Sequence, residues 1–300
     1  MATTVTINSN YAGEAGAILR QSFNELDAIN KGLVTLAPNV RYKLSLRKVR
    51  TTNGKTNYTC GHTPTGAVTL SEKVMILKDI KDDFEVCKRD FKVTWDGLDS
   101  EMLDAVLASR LDGVIEELGQ EIWNGNAATD GEVGGFIPQF IADADVLKAN
   151  SGLTPTGISF SKSNVLAEFE KVANAVPVAI RTKADIKFIV SPDVAEYYMQ
   201  YLVANGILAG FGGAGMEMQY GRYIIVQDAG LPNNTVIVAR QSNLIVAMDS
   251  EAAINEVSVV DEDEFGRLTG NIIGKIAYSS ATGYYNSAEI VYYLSTTTPA

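Results

Sequence analysis

The sequence predicts an α+β protein in which a long two-stranded ribbon stands on a mixed body. Three observations carry this. Around the polar tip Arg50-Thr-Thr-Asn-Gly-Lys-Thr-Asn-Tyr-Thr59, basic and apolar side chains alternate as paired strands with one wet face do. From Leu98 to Trp123 apolar residues recur at helical spacing, with acidic residues on the other faces. Beyond that, short apolar runs alternate with helical stretches bounded by Pro and Gly, which is a mixed α/β pattern.

Composition bounds the rest. The chain has 300 residues, 46% hydrophobic and 20% charged, which fits one or two globular domains with a core that needs no staples. Charge is unevenly spread. The whole chain carries 25 Lys and Arg against 36 Asp and Glu, yet residues 41–95 hold 12 of the bases and 6 of the acids. That segment is +6 and the other 245 residues are −17. A basic arm on an acidic body suggests attachment to copies of itself, because opposite charges steer association and set register. The acidic body argues against wrapping nucleic acid. No run approaches the ~18 apolar residues of a membrane span, and the start, Met1-Ala-Thr-Thr-Val-Thr-Ile7, has no signal-peptide pattern. Cys60 and Cys87 match no zinc or redox spacing, and read with the absence of a signal-peptide pattern they fit a reducing cytoplasm, which favours free thiols.

In order along the chain, residues 1–12 read as an extended, flexible arm. Ala12 to Ile29 reads as a helix with Ala15, Ile18, Leu19, Phe23 and Leu26 on one face, ended by Asn30, Gly32 and Pro38. Val40 to Val49 is a strand, and Val74 to Ile80 and Phe84 to Val93 are returning strands of the ribbon. Such a ribbon is marginal alone and needs a surface to lie on. The Leu98–Trp123 helix buries Leu98, Met102, Ala105, Val106, Leu111, Val114, Ile115, Leu118 and Ile122, with Asp96 or Asp99 as cap. Turns follow at 124–131 and 134–138. Ser161 to Val176 is a helix stopped by Pro177, Ile186 to Val190 a buried strand, and Pro192 to Leu208 a helix with Pro at its start. Gln219–Gln227, Thr235–Ala239 and Leu244–Met248 are strands, and Ile254 to Leu294 is strand-rich.

The chemical motifs fail their context tests. Gly210-Phe-Gly-Gly-Ala-Gly215 follows a helix and precedes a strand, the reverse of a dinucleotide site. Gly54-Lys55-Thr56 lacks the leading glycine of a phosphate loop, since Val49 stands there. His62 is the only histidine and sits on the ribbon tip, a poor place to hold catalytic geometry. Asp261-Glu-Asp-Glu264 lacks the Gly and terminal Glu of a calcium loop and reads as a solvated acidic turn. No catalytic, cofactor or metal residues are expected. The basic ribbon itself has three readings: subunit contact, nucleic-acid arm or membrane-surface arm. Only Tyr42 and Tyr58 are aromatic between 41 and 73, too few for base stacking, so subunit contact is favoured and nucleic acid is the main rival.

The order of elements resembles the major capsid proteins of tailed bacteriophages with the Hong Kong 97-type fold. Glu121-Ile-Trp-Asn-Gly125 followed by Gly134-Gly-Phe-Ile-Pro138 looks like that family's turn after the spine helix. Phe188-Ile-Val-Ser-Pro192 with a helix ending at Asn205-Gly206, then Tyr220-Gly-Arg-Tyr-Ile-Ile-Val226, Leu231-Pro232 and Val236-Ile-Val-Ala-Arg240, resembles its axial domain. The resemblance implies an N-arm over 1–40, an E-loop over 41–95, a spine helix and turn over 96–135, an axial domain over 136–253, and strands returning to the peripheral domain over 254–300. It implies self-assembly into pentamers and hexamers of an icosahedral shell around DNA, in the virion, after assembly in the host bacterial cytoplasm. Portal and decoration proteins would be partners. The family often begins with a cleaved scaffolding segment of about a hundred residues; here the sequence goes straight into the arm, and with Met1 as the native start the resemblance would imply a separate scaffolding protein. Arg41, Lys43, Arg47, Lys48, Arg50 and Lys55 would contact acidic surface on neighbouring subunits. Two alternatives remain open: a nanocompartment shell of the same fold, or an α/β enzyme with a basic lid over an anionic substrate.

Overall fold

The computed structural model describes residues 8–10, 19, 22–52, 54–57, 60–61, 66–87, 99–149, 159–206, 218–249, 256–262 and 270–294. Among the described residues the strands form two six-stranded sheets and a separate two-stranded ribbon.

The first sheet is built around β13 (Asn271–Tyr284), 14 residues long. Its order is β1 (Asn8–Asn10), β12 (Glu256–Asp261), β13, β11 (Leu244–Met248), β2 (Thr35–Ala37), and β5 (Lys78–Cys87) also pairs with β13. Pairing with β5 is antiparallel and continuous, from Asn271 opposite Cys87 to Ser280 opposite Lys78. The second sheet runs β6 (Leu147–Lys148), β14 (Val291–Leu294), β10 (Thr235–Arg240), β7 (Ile186–Val190), β9 (Tyr223–Gln227), β8 (Met218–Tyr220). The division expected at residue 253 does not separate the sheets. β11 lies before it and joins the first sheet, while β14 lies after it and joins the second.

Helices cover these sheets. Leu19 and residues 22–25 are helical, and α1 (Asp27–Asn30) follows after Leu26, whose ψ of 129° breaks the single helix expected from Ala12 to Ile29. Leu19, Phe23 and Leu26 are buried, as the spacing predicts; Ala15 and Ile18 lie outside the described residues. The long helix α2 (Asp99–Asn124) has 26 residues, about 39 Å at 1.5 Å per residue. Leu118, Ile122 and Trp123 are buried in the main core with Leu107, which the sequence reading left out of the apolar face. Residues 98–105 lie outside the described side chains.

A short helix α3 (Phe136–Ala142) occupies what the sequence presents as part of a turn. Its start depends on glycine. A Cβ on Gly135 would lie 2.6 Å from the Gly125 nitrogen, and one on Gly125 would lie 2.1 Å from the Val133 carbonyl oxygen. The chain therefore crosses itself backbone to backbone, and Gly135 N–H donates to the Gly125 carbonyl at 2.7 Å. The crossing delivers Phe136 beside Trp123, ring centroids 5.5 Å apart.

The second sheet carries α4 (Val165–Ala175) and α5 (Pro192–Ala204), with Pro192 at the helix start as expected. Phe160, Phe169, Phe188, Tyr198 and Tyr293 fill a second core cluster there. The stretch read as one strand over 219–227 is a hairpin, because Gly221 sits at φ +60° and turns β8 into β9. The glycine run 210–215 lies outside the described residues.

The ribbon is shorter than the sequence suggests. It consists of β3 (Lys43–Thr52) and β4 (Ala67–Ile76) alone. The expected second returning strand is β5, and it belongs to the body sheet. The break falls at Leu77, whose buried side chain packs into a third core cluster and ends the ribbon there.

Candidate assembly interface

The ribbon has two unlike faces, fixed by its register. Leu44 pairs with Met75, Leu46 with Lys73 and Lys48 with Ser71; between them Ser45 pairs with Val74, Arg47 with Glu72 and Val49 with Leu70. Residues directly opposite share a face and alternate pairs switch face.

The inner face rests on the chain's own body. Leu46 and Met75 are buried with Val40, Leu77, Ile245, Ala247 and Ala281. A Cβ on Gly283 would sit 2.6 Å from Met75 Sδ and 3.3 Å from Leu46 Cδ1, so the ribbon seats against bare backbone. Lys73 Nζ lies 3.4 Å from the centroid of the Tyr284 ring, a cation–π contact. Burial lowers the Lys73 pKa, and the Asp143 carboxylate opposes that. The Tyr284 hydroxyl donates to Asp143 Oδ2 at 2.8 Å. Burial first, and that bond second, raise the phenol's pKa.

The outer face has no such seat. Val49, Val68, Leu70, Val74 and Ile76 are all exposed, Leu70 to 74%. On this face Val49, Val68 and Leu70 lie towards the tip and Val74 and Ile76 towards the base, with the exposed Arg47–Glu72 pair between them, and exposed apolar surface rimmed by charge marks an interaction surface.

The basic residues singled out from the sequence divide between these settings. Lys43 and Arg47 are exposed on the outer face. Lys55 is exposed in the tip, beside Gly54, Thr56 and Asn57. Arg41 is exposed just before the ribbon and engages other groups of the chain. Arg50 stands opposite Thr69 in the ladder, and its side chain lies outside the described residues. Lys48 departs from the expected pattern. It is half-buried and donates to Asn286 Oδ1 of its own chain, because it points to the inner face. It is a fastener of the ribbon to the body.

The sequence reading missed the inner-face residues Lys73, Met75, Gly283 and Tyr284. An apolar alternation shows that one face is dry, but the partner that dries it lies some two hundred residues away in sequence. It also missed the exposed apolar strip, because β4 carries apolar residues towards both faces.

Other sequence candidates resolve simply. Cys60 is exposed and Cys87 half-buried, and both are free thiols. His62 lies outside the described residues. In the acidic 261–264 run Glu262 is buried and engaged by the chain, so it is not a solvated turn residue; Asp263 and Glu264 lie outside the described residues. Among the described residues no group of three His, Cys, Asp or Glu side chains converges to hold a metal ion, and no helix is long and apolar enough to cross a membrane.

No protein-family model matches the chain, and no curated protein matches it by sequence. Solved structures do match. The capsid of a native GTA particle aligns with a TM-score of 0.64 at 13% identity, covering 99% of this chain and 95% of that one. The satellite phage P4 procapsid that includes size determination (Sid) protein aligns at 0.56 and 12% identity, covering 93% and 98%. A virus-like particle from Pyrococcus furiosus aligns at 0.52 and 11% identity, covering 94% and 99%. Each match runs nearly end to end in both chains, so the shared feature is the whole path of the chain. These counterparts are particle shells rather than enzymes. This chain has the fold of the tailed-phage major capsid proteins.

Proposed function

We propose that the chain is a structural virion protein that self-assembles into pentamers and hexamers and closes an icosahedral capsid around phage DNA. The observation that carries this reading is the nearly end-to-end fold match to the GTA and P4 capsids, over 99% and 93% of this chain and 95% and 98% of theirs. In Hong Kong 97-type terms the ribbon is the E-loop, α2 the spine helix of a peripheral domain, and the second sheet with α4 and α5 the axial domain. The exposed cations Lys43, Arg47 and Lys55 steer a neighbouring subunit into register, with Arg41 and Arg50 beside them. The apolar strip over Val49, Val68, Leu70, Val74 and Ile76 then supplies burial. The P4 procapsid contains a second protein, Sid, which supports a separate scaffolding partner here. Portal and decoration proteins, and assembly in the host bacterial cytoplasm, belong to the same reading.

Electron microscopy of the purified protein tests this. Closed icosahedral particles are expected, and a soluble small oligomer under all assembly conditions would overturn it. The likeness to a virus-like particle favours one second reading, a shell that encloses protein cargo instead of DNA. Particles from the native host that hold protein cargo and no nucleic acid would select it.

A further inference from the structure

A pocket of about 320 Å³ lies between the N-terminal helical segment, the middle of α2 and the loop 228–230. Its lining is acidic: Glu25, Asp27, Asp112, Glu116 and Asp228. The first four are exposed, while Leu26, Ala28 and half-buried Ile115 give it apolar walls. Asp228 is different. It is 1% exposed, its Oδ1 accepts the Gly230 N–H at 2.8 Å, and its Oδ2 is buried with no hydrogen-bond partner. The Trp123 indole N–H lies near enough to favour the charged carboxylate without meeting hydrogen-bond geometry. Gly230 is pressed onto α2: a Cβ there would lie 2.1 Å from the Gly119 carbonyl oxygen, so loop and helix meet backbone to backbone. Burial raises the Asp228 pKa, and Gly230, Trp123 and Lys31 oppose this while Asp27 adds to it. Lys31 is occupied by Asp27 Oδ2 at 2.7 Å and the Gln227 carbonyl at 3.0 Å.

We infer that this pocket receives a lysine or arginine side chain of a partner protein. Exposed carboxylates at the rim, apolar walls for a methylene stem and a buried carboxylate with one oxygen, Oδ2, outside any hydrogen bond match an alkylammonium or guanidinium group. Nucleic acid is excluded by sign. No trio of carboxylates converges among the described residues, so a metal ion fits less well than an organic cation. The partner is not a neighbour's ribbon. On β11, Leu244, Val246 and Met248 face the core shared with α1 and α2, while Ile245 and Ala247 face the ribbon. Ribbon and pocket therefore lie on opposite sides of the first sheet. On the proposed shell reading, with this sheet lying along a single-layer wall, every copy turns the pocket to one side of the wall and the ribbon to the other, so a neighbour's ribbon does not reach it. The occupant is a separate protein bearing a basic segment on the wall away from the ribbons.

The test is calorimetric titration of the full chain with pentalysine as probe. Saturable binding at one site per chain is expected, weakened about tenfold by Asp228→Asn, the loss of one charge-assisted bond. That change keeps the Oδ1 acceptor for Gly230. Should Asp228→Asn fold poorly, Glu116→Lys at the exposed rim carries the same expectation. The pair Asp83→Asn and Glu85→Gln, on the ribbon side of the sheet, should leave affinity unchanged. Equal weakening by that pair, unchanged binding in both pocket variants, or Mg²⁺ binding without peptide binding would overturn the inference. Microscopy of the same preparations reports shell formation separately, so failure of the shell reading is seen independently of the titration.

Discussion

Met75 and Gly283 fit together only because residue 283 has no side chain: a Cβ there would stand 2.6 Å from the Met75 sulfur. This pair seats the inner face of the ribbon, next to the Lys73 contact over Tyr284. The ribbon is thereby aimed by contacts within its own chain.

Gly283→Val should unseat the ribbon without unfolding the body. Overpacking of this kind costs about 1–3 kcal/mol. Urea unfolding should register that loss, and limited proteolysis should cut within 43–76 faster than in wild type. Adding Met75→Ala should restore part of the protection, since it removes the obstructing atom.

Lys48 and Arg47 should behave oppositely although they are adjacent. Lys48→Glu should destabilise the folded subunit, because it replaces a half-buried donor to Asn286 with an acceptor. Arg47→Glu with Lys55→Glu should lower the unfolding free energy by no more than about 1 kcal/mol, the effect of an exposed like-charge pair with Glu72. It should slow the association of subunits and block closed shells. Light scattering beside chemical denaturation separates the two effects. A wild-type association rate that stays the same from low salt to about 1 M, where screening lengths fall to a few ångströms, would remove charge steering from the account.

Leu70→Ser with Val68→Ser should raise the solubility of unassembled subunits and weaken assembly. Both residues are exposed on the outer face, so subunit folding has little to lose. Burying each such side chain contributes about 1.5–3 kcal/mol. The critical concentration for particle formation should rise, read by sedimentation.

Asp185 gives a pH signature. The hydrogen bond from Arg240 Nε, at 2.9 Å to Oδ2, chiefly holds its carboxyl below the usual range; Ser242 helps, and burial opposes. A depressed folded pKa adds stability above the unfolded value of about 3.9 and loses it as pH falls through the folded value. Wild-type stability should therefore drop more steeply below about pH 4 than that of Asp185→Asn. Urea midpoints from pH 7 to pH 3 measure the difference, and parallel curves would remove Asp185 from the acid response.

The sequence by itself determined the elements whose signal is local. α2, β7, α5 with Pro192 at its start, and the buried faces of Leu19, Phe23 and Leu26 follow from periodicity and breakers within a single window. The order of those elements was enough to suggest the capsid fold. Tertiary structure alone decided where each strand paired. β5 has the composition of the ribbon but hydrogen-bonds to β13, because its even-numbered Ile80 and Phe84 complete the core over α2. Lys48 looks like its basic neighbours in sequence, yet the register turns it inward to Asn286. The acidic pocket draws its lining from segments about two hundred residues apart, and no local pattern reports that Asp228 is buried. Local sequence fixes backbone preference and which face is apolar. Pairing, seating and the sharing of a cavity are set by contacts between distant segments, and one sequence carries no local trace of those.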